Sequence, residues 1–160
     1  MEFITDLISE NNKLPVKTIT NFKNLLSFQN VKKKHVLAKA GETPSEFYIL
    51  KKGVVRSYFL DKKGREVIQS LTVGGASTGA FSSLILDKPS RIYYDCLTDC
   101  EFYVGDFKAF KKLTLKDINI SLLYTKVLED AFIKKEKRIY ELSMLDATDR
   151  YLKIRKDLPN

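Results

Sequence analysis

The sequence predicts an α+β fold: an antiparallel, jelly-roll-like β-roll with flanking N-terminal helices and a long C-terminal helix. Three observations predict it. Residues 41 to 79 alternate apolar strand positions with regularly placed glycines. Residues 1 to 30 carry apolar side chains near a 3.6-residue period. Residues 106 to 145 return to that helical period.

In the N-terminal segment, Phe3, Leu7 and Ile8, then Ile19, Phe22, Leu25 and Leu26, set the helical pattern. Leu14-Pro15 interrupts it, so two short helices are expected. The strand-rich body spans residues 31 to 105, with Phe47, Ile49, Val54, Tyr58, Val67 and Leu71 as strand positions. Gly41, Gly53, Gly64 and Gly75 fall where the chain must turn. Asp61-Lys62-Lys63-Gly64 reads as a hairpin turn. Asp106 is placed to cap a short helix over Phe107–Leu113. A longer helix starts near Lys116, with Ile120, Leu123, Val127, Ala131, Lys134, Arg138, Glu141 and Leu145 close to one stripe. Leu128, Phe132, Tyr140 and Leu142 flank it. A helix of about thirty residues is too long for a small roll to cover completely, so it either lies in part on its own roll or pairs in parallel with a second copy across a two-fold axis. Ala131 allows close approach, while Lys134 and Arg138 weaken the lower seam.

Composition sets the bounds. The 160 residues carry a net charge of +8, from 28 basic and 20 acidic side chains. A basic surface attracts phosphates at long range, which suits a protein that approaches DNA. Much of the excess lies at Lys32–Lys39, Lys134–Arg138 and Arg150–Lys156. No apolar run is long enough to span a bilayer, so no membrane partner is expected, and the acidic N-terminus lacks the basic region of a signal peptide. Cys96 and Cys100 sit four apart in one expected strand segment, their side chains on one side but not as cross-strand partners. A disulfide is not expected there, and a reducing cytoplasmic setting is. With His35 the lone histidine, neither a zinc site nor an iron–sulfur cluster has its ligands. Lys32-Lys33-Lys34 reads as a solvated strand entry, His35 as a surface position, and Tyr93-Tyr94 as a strand with one ring in and one out. Asp87, Asp95 and Asp99 form no framed carboxylate pair, and no P-loop, HExxH or GxSxG occurs. No catalytic residue and no enzyme activity are expected.

The order Gly41-Glu42, then Phe47-x-Ile49-x-x-x-Gly53-x-Val55, then a polar hairpin and a glycine-rich loop, resembles the β-roll of cyclic-nucleotide-binding domains. It resembles in particular the sensor domain of the Crp/Fnr family of bacterial transcription regulators. Gly75 and Gly79 match the glycines of that family's phosphate cassette in spacing. Cys100-Glu101 matches the start of the last roll strand, and Leu145-Asp146-Ala147-Thr148-Asp149-Arg150 is similar to the hinge before the DNA-binding domain.

This resemblance implies a sensor domain over residues 1–115, a dimerisation helix over 116–145, and over 146–160 a hinge with the first helix of a DNA-binding domain. Leu152, Ile154 and Leu158 would be the buried side of that helix, and Pro159 its stop. It implies a homodimer joined through Ile120, Leu123, Val127 and Ala131. DNA would be read only by a helix-turn-helix domain absent from this chain. Ligand contacts would fall at Gly79, Ala80, Phe81, Ser82, Ser90 and Arg91. Here the chain departs from the family. Ala80 stands where a glutamate accepts the ribose hydroxyl, and Ser90 where an arginine meets the phosphate. Arg91 comes one residue late, which in an extended segment turns it to the opposite face. Lys135 and Glu136 replace the pair that reaches adenine. Losing two charge-assisted hydrogen bonds weakens binding by about a hundredfold to ten-thousandfold. No cofactor is expected, cAMP included; a different small ligand held by Thr78, Ser82, Ser83 and Ser90 stays open. A free-standing ligand-binding module acting through a protein partner is the alternative reading.

Overall fold

The structure, a computed structural model, describes residues 2–9, 14–146, 148, 149, 152, 153 and 155. Two short helices come first, α1 (Glu2–Ser9) and α2 (Val16–Lys23). Five strands then run as β1 (Leu26–Val31), β2 (Val36–Ala38), β3 (Glu46–Lys52), β4 (Val54–Leu60) and β5 (Glu66–Val73). After β6 (Ala76–Thr78) a short helix α3 (Phe81–Leu86) precedes β7 (Tyr93–Cys96) and β8 (Cys100–Asp106). Helices α4 (Phe107–Thr114) and α5 (Ile118–Met144) follow. The chain forms two compact units, one ending at Ile120 and one beginning at Ser121.

Among the described residues, eight strands make two antiparallel four-stranded sheets, in the orders β1-β8-β3-β6 and β2-β7-β4-β5. Leu37, Tyr48, Leu50, Val55, Cys96, Cys100, Phe102 and Val104 form the core between them. Strand residues alternate faces, so the neighbours of Leu50 and Phe102 point the other way, toward the helices. Phe47 meets Phe110 of α4 with ring centroids 5.1 Å apart, and Phe3 of α1 stacks on Tyr103 at 6.0 Å. β3 is therefore buried on both faces through Phe47–Leu50. This explains its continuous apolar run.

The hairpin at Asp61–Gly64 forms as the sequence predicts. The Asp61 carboxylate accepts from the Lys63 and Arg65 amides at 2.8 and 3.0 Å, and Gly64 takes a left-handed φ of +76°. Asp106 caps α4, accepting from the Ala109 amide at 2.7 Å. Gly53 has φ +105°, and a Cβ there would lie 2.6 Å from both the Asp99 carbonyl and the Cys100 Sγ. Only glycine permits that approach.

Three expectations change. The last apolar residue of the N-terminal pattern, Leu26, opens β1 rather than ending a helix; it pairs with Gly105 of β8 and is buried. Cys96 and Cys100 do not share a strand segment. Cys96 ends β7 in one sheet and Cys100 opens β8 in the other, so both thiols enter the core from opposite layers. Both are free. Ile120 is 0% exposed, so it belongs to the body's core.

The aspartates that frame no carboxylate pair each hold their own cation: Asp87 with Lys108 at 3.1 Å, Asp95 with Arg56 at 2.7 Å, Asp99 with Lys32 at 2.8 Å. Arg56 grips Asp95 with two nitrogens and lies 4.2 Å over the Tyr58 ring, which itself stacks on Tyr93. His35 is exposed just ahead of β2. Of the expected helix after the hinge, Ile154, Leu158 and Pro159 lie outside the described residues, as do Ala147 and Arg150 of the hinge itself. No helix among the described residues is long and apolar enough to cross a membrane.

Candidate ligand cavity

Between β6 and β7 the chain builds a cassette. Gly79, at φ +131°, ends β6 and swings the backbone into α3. Ala80 is the helix N-cap residue, and its carbonyl accepts from the Ser83 and Leu84 amides. Asp87, left-handed at φ +50°, stops the helix after six residues and returns the chain toward β7. The Ser90 amide and carbonyl then pair with Glu42 and Gly41 at 2.9 and 2.8 Å. That ties the returning segment to the Gly41-Glu42 turn.

These turns border a half-open cavity of about 560 Å³. Ala80, Ser82, Ser90 and Arg91 border it, so four of the six sequence-predicted ligand positions meet in one place. Gly79 and Phe81 are not among the lining residues; Phe81 instead packs edge-on against Phe107, with centroids 6.4 Å apart. Thr78 is buried in β6 outside the lining. Ser83 lines the cavity.

Ser90 is 4% exposed and its hydroxyl is engaged. It donates to the Ile92 carbonyl at 2.7 Å and accepts from the Ile92 amide at 3.1 Å. Arg91 corrects the strand-parity expectation. Residues 91 and 92 form a bend, and β7 begins only at Tyr93, so the two-residue period that would turn Arg91 away does not apply. Arg91 is exposed and borders the same cavity as Ser90. Lys135 and Glu136 are exposed on α5.

Sequence reasoning missed Leu86, Lys88, Ile92 and Tyr94 as lining residues. Burial raises the Tyr94 phenol above its ordinary pKa, so it stays a neutral hydroxyl. Among the described residues the lining holds two cations, three serine hydroxyls and the Tyr94 hydroxyl, and no carboxylate or carboxamide. The cations only donate, while the hydroxyls donate or accept. No group of three or more metal-ligating side chains occurs among the described residues.

Solved structures share this architecture. The sensor domain of the transcriptional regulator DNR from Pseudomonas aeruginosa matches at 20% identity, covering 91% of this chain and 94% of that one, with a TM-score of 0.65. The c-di-GMP responsive global regulator CLP of Xanthomonas campestris matches at 17% identity and a TM-score of 0.71, covering 90% of this chain and 72% of that one. The catabolite activator protein of Thermus thermophilus matches at 14% identity and a TM-score of 0.68, with 86% of this chain covered. This chain spans 63% of the Thermus protein's length. At these identities the likeness is one of fold. A comparison with curated protein sequences gives no match. The cyclic nucleotide-binding domain model, however, matches residues 28–117, from β1 past the cassette to the foot of α5. With more than half its length so matched, the chain belongs to the cyclic nucleotide-binding domain family.

Proposed function

We propose that this chain is the sensor and dimerisation half of a Crp/Fnr-like transcription regulator, with a cavity that has lost its response to cAMP. The chemistry of the cavity lining carries this reading. A cyclic nucleotide presents a ribose hydroxyl that needs an acceptor and a phosphate that needs a fixed cation. Ala80 offers the first nothing, Ser90 holds its only proton on Ile92, and the cations that border the cavity, Lys88 and Arg91, are both exposed rather than fixed in its wall. Burying a ribose hydroxyl without a carboxylate to accept its proton costs binding energy.

The regulator reading is supported by the fold and by α5. Its 27 residues extend about 40 Å at 1.5 Å per residue. Phe132, Ile133, Ile139 and Tyr140 are 59–70% exposed along it. Large apolar groups so exposed mark an interaction surface. A second copy would pair through Leu123, Val127 and Ala131, and Ile120 drops out of that seam because the body already buries it. DNA contact would come through a helix-turn-helix domain, and the protein would act in the cytoplasm without catalysing a reaction.

Calorimetry with cAMP and cGMP tests the reading. Dissociation constants weaker than about 10 μM, or roughly −7 kcal/mol, are expected for both. Tighter binding of either would refute it.

A further inference from the structure

Three facts about the cavity are unexplained by the loss of cAMP recognition alone. First, Lys88 and Arg91 border it, and neither has a carboxylate within ion-pairing distance among the described residues. The local acids are engaged elsewhere: Asp87 with Lys108 at 3.1 Å and Glu42 with Lys39 at 3.7 Å. Second, the remaining wall is largely apolar, from Leu86, Pro89, Ile92 and Tyr94. Leu86 is 61% exposed beside it, an apolar side chain the chain's own packing leaves uncovered. Third, the hydroxyl of Ser82 at the cavity makes no hydrogen bond among the described residues and can donate.

We propose that the cavity binds an amphiphilic anion: a carboxylate or phosphate head held by Lys88 and Arg91, with a short apolar body against Leu86, Ile92 and Tyr94. This rests on the reading that the cavity no longer serves cAMP. The head is acceptor-only, which is what two cations and a free hydroxyl match. An apolar body asks for no acceptor, and the lining supplies no acidic or amide one. A nucleoside, with hydroxyl and amino donors, fits the same wall badly. The bend at residues 91 and 92 allows both cations on one cavity, because it breaks the alternation that a strand would impose.

The test is calorimetric titration of the full chain with octanoate and with octyl phosphate, against acetate, 1-octanol and cAMP. One of the two charged amphiphiles should bind at least about tenfold tighter than acetate or octanol, since charge and apolar area contribute separately. Preference between the two identifies the head. Lys88→Gln with Arg91→Gln, both exposed positions, should weaken that binding about tenfold or more while the circular dichroism spectrum is unchanged. Octanol binding as tightly as the better of the two charged amphiphiles, no binding by either amphiphile below about 1 mM, or an unaffected double variant each overturns the proposal. Tight cAMP binding overturns the underlying functional reading instead. The absence of both cAMP and amphiphile binding overturns this proposal alone.

Discussion

The Ser90 hydroxyl closes a ring on Ile92, donating to its carbonyl at 2.7 Å and accepting from its amide at 3.1 Å. One short side chain thereby satisfies both backbone groups of a residue in a bend and leaves no proton for a ligand. Ser90→Ala would leave the Ile92 amide without this partner. It should cost about 1–3 kcal/mol in urea denaturation. A change within about 0.5 kcal/mol would mean that the ring does not hold the bend.

Gly53 and Gly64 separate two effects that both favour glycine. At Gly64 a Cβ meets nothing within 4 Å, so Gly64→Ala carries only the left-handed backbone penalty, about 1–2 kcal/mol. At Gly53 the same substitution adds contacts of 2.6 Å to the Asp99 carbonyl and Cys100 Sγ. Gly53→Ala should therefore destabilise clearly more than Gly64→Ala. Equal losses in thermal denaturation would contradict the packing described at the start of β8.

Thr18 of α2 donates to the Asp117 carboxylate at 2.8 Å, and Asp117 accepts from the Asn119 amide at the start of α5 at 3.0 Å. The Thr18 hydrogen bond is the largest cause holding the Asp117 pKa below its ordinary value. A depressed carboxyl stabilises the fold above the unfolded pKa, near 3.9, and loses that contribution as pH falls through the folded one. Stability should thus fall below about pH 4, and Asp117→Asn should flatten that decline. At neutral pH Asp117→Ala should cost about 0.5–2 kcal/mol as a lost helix cap. An unaltered acid limb in the Asn variant would show that other carboxylates govern it.

Burial is the largest cause raising the Cys96 thiol pKa, which is pushed up to about 12. Cys96 is 1% and Cys100 3% exposed. The thiolate is the reactive form, so iodoacetamide at pH 8 should label neither residue until the chain unfolds. Rapid labelling of the native protein would place at least one thiol outside the core.

Phe132 is 70% exposed on α5, so replacing it should leave the helix intact. Val127→Asp would put a charge into the seam of Leu123, Val127 and Ala131, whereas Phe132 lies about 140° away from Val127 around the helix. Val127→Asp should shift sedimentation from dimer to monomer with unchanged helix content, and Phe132→Asp should not. A wild-type chain that is monomeric at high micromolar concentration would contradict the dimer.

Features written in short-range chemistry were legible in the sequence. Asp61 through Gly64 and the Asp106 cap depend on residues three or four apart, and both form as read. Leu26 was misread because a single apolar residue at the end of a helical pattern also fits the first position of a strand. The cysteines were misplaced because nothing local announces the sheet change between Cys96 and Cys100. For the cavity, the resemblance to the family's phosphate cassette located Ala80 and Ser90, which share one lining. Lys88, Ile92 and Tyr94 join them only through the left-handed Asp87 and the bend at 91 and 92. A left-handed aspartate leaves a weak sequence signal, and a bend within an apolar stretch leaves almost none.

The most direct test compares cAMP titrations of the wild type and of Ala80→Glu with Ser90→Arg, each first shown to be folded. Wild-type binding should be no tighter than about 10 μM, with measurable affinity once the acceptor and the buried-position cation are restored together. A wild-type dissociation constant below about 10 μM would contradict the loss of cAMP recognition, because the cavity would then hold the nucleotide with no ribose acceptor and only the exposed Lys88 and Arg91 for its phosphate.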